Sequence, residues 1–112
     1  MKITVKTDTE EFDGEGIWKE EDGTTVVDMK HNEFSFYLRI RDGEVWLDTK
    51  DAAELKAQFG QINKAEISTP FGTIDADAGL LSLKEEPDAI HLSYWVMEPQ
   101  SVIHLSILKE PA

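Results

Sequence analysis

The sequence predicts an all-β protein, a barrel or sandwich of short antiparallel strands, and three observations carry that prediction. Two Asp-Gly pairs, Asp22-Gly23 and Asp42-Gly43, each sit between alternating apolar runs, and Asp-Gly suits the type I′ turn, whose two central residues both need φ > 0. Folding the chain at either pair leaves every cross-strand partner agreeing about which face it belongs to, whereas a slip of one residue would turn the whole apolar set into water. Strand-like segments then recur along the chain with turn residues between them, the spacing of a barrel or sandwich.

Lys2 to Thr7 opens the chain as an alternating strand, and Asp13 to Glu20 follows it. Thr24 to Lys30 is the hairpin partner of the second segment. Folding at Asp22-Gly23 sets Trp18 opposite Val27, Gly16 opposite Met29 and Gly14 opposite His31 on one face, the face expected to look inward. Ile17, Lys19 and Glu15 meet Asp28, Val26 and Lys30 on the other. After a turn at His31-Asn32, Phe34 to Arg41 and Glu44 to Thr49 form a second hairpin, with Ile40 opposite Val45 and Leu38 opposite Leu47. Its outer face sets Tyr37, Arg39 and Arg41 against Asp48, Trp46 and Glu44. There Arg39 is expected to stack on Trp46 and Arg41 to pair with Glu44, each contributing at most about 1 kcal/mol. The alternative use of these two arginines is an anion or partner site beside Tyr37.

Lys50 to Phe59 reads two ways. Its strong helix formers, its acidic first turn and the i, i+4 spacing of Leu55 and Phe59 suit a short helix; Ala53, Leu55, Ala57 and Phe59 also alternate, as a strand requires. Lys64 to Thr69, Thr73 to Ala78, Ala89 to Met97 and Ser101 to Lys109 complete the strands. Turns separate them at Pro70-Phe71-Gly72, Glu86-Pro87-Asp88 and Pro99-Gln100.

A chain of 112 residues forms one domain, residues 1–112, and buries roughly two thirds of the surface its unfolded form exposes. Its 40% hydrophobic and 30% charged residues are those of a globular protein. With 23 acidic against 11 basic residues and a net charge of −12, it repels phosphate backbones and anionic lipid heads, so neither nucleic acid nor a membrane is an expected partner. The absence of cysteine excludes disulfides, thiolate nucleophiles and thiolate metal ligands. Met1-Lys2-Ile3-Thr4 enters a strand-like alternation directly, without a secretory pattern, and no apolar run approaches the ~20 residues that span a bilayer. A cytoplasmic protein is expected.

Gly43-Glu44-Val45 through Phe59, Ile67-Ser68-Thr69-Pro70-Phe71-Gly72-Thr73-Ile74, and the closing pair of Ile90-His91-Leu92-Ser93-Tyr94 with Val102 to Leu108 together resemble the bacterial domain-of-unknown-function 1934 family. The motifs that carry the likeness are a Gly-Glu-Val opening, a Phe near the end of the next strand, a Phe-Gly turn and a Leu-x-Tyr strand. The resemblance implies a calycin-like antiparallel barrel of small bacterial cytosolic proteins, and it implies that Ala53 to Phe59 is a strand despite its propensity. It supplies no activity. The chain is shorter than the family pattern, with trimmed loops, which argues against a roomy lumen.

The resulting expectation is a single small antiparallel calycin-like (lipocalin-like) β-barrel of about eight to ten strands. Its interior is lined by Ile3, Val5, Trp18, Val27, Met29, Phe34, Phe36, Leu38, Ile40, Val45, Leu47, Ile90, Leu92, Tyr94, Ile103, Leu105 and Ile107. A barrel of this size fills itself with side chains or holds one small ligand. Gly14 and Gly16 leave two inward positions without side chains, which marks either a sharp corner or the close approach of a ligand. If a cavity exists, it is expected beside these glycines.

Other constellations point to less. A two-residue turn at Pro99-Gln100 sets His104 opposite Trp95, with His91 four residues on, ~13 Å away at strand rise, too far to share an ion; with His31 they make no metal-site spacing. Asp75-Ala76-Asp77-Ala78-Gly79 with Glu86 imitates a calcium loop, but Leu80 stands where that loop needs glycine, so Asp75 and Asp77 are expected on a solvent face. No nucleophile with a base, no paired carboxylates in an apolar setting and no phosphate loop are found, so no catalytic residue, metal or cofactor is assigned. Two functions follow as expectations. The first is non-enzymatic binding of a small apolar or amphipathic molecule in the barrel mouth by Trp18, Met29, His31 and Tyr94, with Gly14 and Gly16 bordering the ligand. The second is an interaction module, binding a basic protein through its acidic exterior or pairing with itself along a sheet edge.

Overall fold

In the computed structural model, which describes residues 1–32, 34–50, 54–60, 63–97 and 101–110, ten strands close into one antiparallel barrel. They are β1 (Lys2–Lys6), β2 (Glu11–Glu21), β3 (Thr24–His31), β4 (Phe34–Arg41), β5 (Glu44–Lys50), β6 (Glu54–Phe59), β7 (Lys64–Thr69), β8 (Gly72–Glu86), β9 (Ala89–Val96) and β10 (Ser101–Lys109). Each strand pairs with its neighbours in chain order, and β1 pairs with β10 to close the ring.

The two Asp-Gly turns have the geometry their chemistry demands. Asp22 and Gly23 take φ of 53° and 77°, Asp42 and Gly43 take 50° and 77°, so all four central residues are left-handed, as a type I′ turn needs. The hairpin β4–β5 keeps the predicted register throughout, including Leu38 opposite Leu47 and Arg39 opposite Trp46. In β2–β3, Trp18 faces Val27 and Gly16 faces Met29 as expected. The pairing keeps the expected register as far as Glu15 and Lys30, and Gly14 just beyond them has Ile3 of β1 on its other side. The ion pair of Arg41 is with Asp42, 3.8 Å away, instead of Glu44.

The ambiguous segment is a strand where it is described. Glu54–Phe59 pairs with β5 on one side and β7 on the other, with Leu55 opposite Thr49 and Ala57 opposite Leu47. Burying Ala57 and Phe59 in the barrel wall outweighs the helix propensity of Lys56 and Gln58. Asp51 to Ala53 lie outside the described residues.

Two expectations need correction. The strand predicted from Thr73 to Ala78 runs 15 residues, from Gly72 to Glu86. A β-bulge between Leu80 and Ser82 inserts Leu81, so the inward positions change from Ala76, Ala78 and Leu80 to Leu83, and a strict period of two no longer reads across the break. The same strand carries the calcium-like segment, with Asp75 and Asp77 exposed. At the other site, β9 and β10 are offset by two residues from the expected register, so His104 faces Ser93 and Val102 faces Trp95. A slip of two keeps every side chain on its face, and the apolar pattern therefore cannot detect it. The turn expected at Pro99-Gln100 lies outside the described residues.

All but one of the predicted inward residues are buried, and Ile103 is only partly so, packed against the rest. The sequence reading missed Phe59, Val96 and a set of alanines, Ala57, Ala65, Ala76 and Ala78, that complete the core. The molecule is flattened, with extents of 41 × 32 × 22 Å. At the end of the barrel bearing the two Asp-Gly turns, Thr25 on β3 donates its hydroxyl to Glu85 Oε1 on β8 at 3.1 Å. These strands lie half the ring apart, so the bond spans the mouth.

Candidate functional site

The six residues proposed from sequence do not converge on one cavity. Gly14 and Gly16 are filled by backbone: a Cβ on Gly16 would stand 2.1 Å from the Asp28 carbonyl oxygen, and one on Gly14 would stand 2.3 Å from that of Lys30 and 2.6 Å from Met29 Sδ. Contacts under 3 Å are not tolerated by real side chains. The glycines therefore serve the close approach of β2 to β3. Met29 is fully buried behind them. His31 stands exposed at the far end of β3, its ring 6.4 Å from Phe12 and its Nε2 3.4 Å from the Asn32 amide. Tyr94 on β9 is buried against Phe59, ring centroids 5.2 Å apart. Burial pushes the Tyr94 hydroxyl well above the ordinary tyrosine range, so it stays neutral.

Trp18 is different. It is 8% exposed, belongs to the core, and also lines a cleft of about 760 Å³ at the barrel mouth. Its Nε1–H is buried without a hydrogen-bond partner, the one such side-chain atom among the described residues. A buried amide-like donor left unpaired costs about 1–3 kcal/mol, and tryptophan nitrogens in folded proteins normally find an acceptor.

Beside the cleft, β2 is eleven residues long and β1 five. Pairing between them reaches Glu15, with Gly16 N–H donating to the Met1 carbonyl just beyond at 3.0 Å. From there on, the wall of the cleft is the β2–β3 hairpin on one side and the β8–β9 turn on the other, with Thr25 and Glu85 tied together between them. Lys109, the last residue of β10, places its ammonium 5.0 Å from the centre of the Trp18 ring. Among the described residues, the cation–π contact thus falls to Lys109 on Trp18, where the sequence suggested Arg39 on Trp46. Around this pair stand the carboxylates of Glu20, Glu21, Asp22, Glu85 and Glu86, five acids against one ammonium. Neither Lys109 nor Glu85 could be assigned to the mouth from sequence, because only the β1–β10 and β8–β9 registers bring them there.

A second concavity, about 440 Å³, crosses the outer face of β5 to β8. Trp46 and Met97 stand at its sides, and backbone around Ala57, Ala65 and Ala76 forms its floor. Lys56 and Lys64 alternate there with Glu66, Asp75 and Asp77, two lysines against three acids, a smaller excess of negative charge than at the mouth.

The histidines have local partners. His91 Nδ1 lies 3.0 Å from the Ser106 hydroxyl and Nε2 lies 3.9 Å from Glu86, while the backbone N–H of His104 donates to Asp8. The two-residue offset in register brings His91 and His104 a diagonal apart on adjacent strands, nearer than the sequence implied. Among the described residues, no group of three or more His, Asp or Glu side chains is placed to hold a metal.

Comparison with family models finds no match, and comparison with curated proteins finds none either. Among solved structures, the crystal structure of the ywiB protein from Bacillus subtilis matches with a TM-score of 0.59 at 14% identity, over 98% of this chain and 88% of that chain. At that identity the likeness speaks for the barrel fold alone. No helix among the described residues is long and apolar enough to cross a membrane.

Proposed function

We propose that this protein is a non-enzymatic binder of a small amphipathic molecule, which it takes at the barrel mouth lined by Trp18 and not in the barrel interior. The observation that carries the reading is the unpartnered indole N–H of Trp18 beside a cleft of about 760 Å³. A ligand that lays an apolar surface on the ring and brings an acceptor to Nε1–H would relieve a cost that the protein otherwise bears. The packed core, with Met29, Phe36, Leu38 and Leu47 at 1% exposure or less, supports the mouth over the lumen. We also assign the chain to the domain-of-unknown-function 1934 family as part of this reading; its support is that Glu54–Phe59 is a strand, as the resemblance implies against local propensity.

Native mass spectrometry of protein purified gently from its own host tests the function. A retained small molecule that is lost in a Trp18→Ala variant of equal fold is the expected result. A bare spectrum, or an adduct indifferent to that substitution, counts against it.

The alternative is an interaction module for a basic protein partner. It draws on the net charge of −12 and on the outer groove with its half-exposed Met97. Under that reading, substitutions at Met97 and Trp46 would abolish association while Trp18→Ala would leave it intact.

A further inference from the structure

The chemistry of the mouth narrows the ligand class, given the proposal above that the mouth is the binding site. An acceptor alone would suit Trp18 Nε1–H, but the surroundings select for charge as well. Five carboxylates line the cleft, and such a cluster focuses cations toward itself and repels anions. The one basic residue of the cleft, Lys109, does not form an ion pair with any of them among the described residues. Its ammonium instead stands over the Trp18 ring at 5.0 Å, within the ~6 Å reach of a cation–π contact. Glu86 is engaged elsewhere, with Lys84 at 3.1 Å and His91 at 3.9 Å. The mouth thus presents an indole face that already accepts an ammonium, an unmatched excess of negative charge, and one buried donor without an acceptor.

From these features we infer that the mouth binds a small organic ammonium ion carrying a hydroxyl or carbonyl oxygen, and that Lys109 occupies the cation position in its absence as a tethered stand-in. The cationic end of the ligand takes the place of the Lys109 ammonium over the indole, and its oxygen faces Nε1–H. Lys109, half-buried, swings out on its flexible four-carbon stem. The tethered ammonium competes with the ligand, so the resident lysine weakens binding.

The test follows the indole N–H resonance of Trp18, assigned by its absence from a Trp18→Phe variant, during titration with choline and, separately, with 3,3-dimethylbutan-1-ol. The two probes share shape and hydroxyl and differ in charge. Choline is expected to shift the Trp18 signal, the neutral alcohol to leave it or to bind at least tenfold more weakly, and Lys109→Met to tighten choline binding at least tenfold. Melting temperature and the dispersion of the spectrum establish that the variant is folded. Equal binding of the two probes would overturn the ammonium assignment while leaving the mouth as a binding site. Choline binding unchanged in Lys109→Met would overturn the role of Lys109. If neither probe moves the Trp18 signal in either protein, the inference fails, and the native mass spectrum then decides separately whether the mouth binds anything else.

Discussion

Asp22-Gly23 and Asp42-Gly43 turn their hairpins with nearly the same backbone, φ of 53° and 77° against 50° and 77°, and each hairpin carries one tryptophan. In β4–β5 every position obeys the alternation: Trp46 lies on the outside opposite Arg39, and Leu38, Ile40, Val45 and Leu47 fill the interior. In β2–β3 the tryptophan points inward with its N–H unpartnered, two inward positions are glycine, and the longer strand runs past its neighbour β1. One local code therefore builds a wall in one place and a mouth in the other. The difference comes from what stands beside the hairpin. β4–β5 continues into β6 along its length, whereas β2 runs on past a five-residue β1. The departures of β2–β3 from strict alternation thus fall on the hairpin that lines the cleft.

The largest effect is expected at Gly16. A leucine there must displace the Asp28 carbonyl 2.1 Å from its Cβ, backbone that cannot give way, so Gly16→Leu should lose more than about 3 kcal/mol or fail to fold, beyond the usual overpacking range. A chemical denaturation midpoint close to that of the parent would show that β2 does not press on β3. In the regular hairpin, Leu47→Ala should cost about 3 kcal/mol, within the range for a fully buried leucine; a loss under about 1 kcal/mol would mean that this wall is not the packed one.

Smaller effects sharpen the contrast. Gly23→Ala and Gly43→Ala meet no atom within 4 Å, so each should lose only the cost of a left-handed alanine, about 1–2 kcal/mol, and the two losses should agree. Markedly unequal values would locate a difference in the turns themselves. Smallest is Trp18→Phe. Lost packing and relief of the unpaired donor oppose each other, and the net change should stay within about 1 kcal/mol, as thermal unfolding would show. A loss of several kcal/mol would mean that the indole N–H has an acceptor after all.

The regular hairpin was legible residue by residue, because a two-residue turn and an unbroken period of two together leave a single register. Strand β8 was only half legible, since Leu81 at the bulge breaks the period. The β9–β10 register was illegible for the opposite reason: a shift of two residues preserves every face. Trp18 stood out in the sequence, but its partnerless nitrogen did not, and neither did Lys109 above it, because both depend on strands brought together from opposite ends of the chain. Gly14 and Gly16 were recognised as special, and only the distance to the β3 carbonyls decides that they serve packing.

The short strand β1 also sets the order in which the molecule can assemble. Every other pairing joins consecutive strands, while Ile3 meets Lys109 across nearly the whole chain. Hairpins such as β4–β5 form on a timescale of about 1–10 μs from local contacts, whereas the seam must wait until a loop of almost full length closes and its entropy is met. The seam is fastened at its end by Lys2 with Glu110, at 3.3 Å, whose hydrogen bond and charge hold the lysine above its ordinary pKa. Pulse-labelled hydrogen exchange should accordingly protect the amides of Leu38 and Leu47 first and those of Val5 and Ile107 last. In the native state the same seam should open before any other, unlacing the barrel from β1 while the meander behind it stays folded.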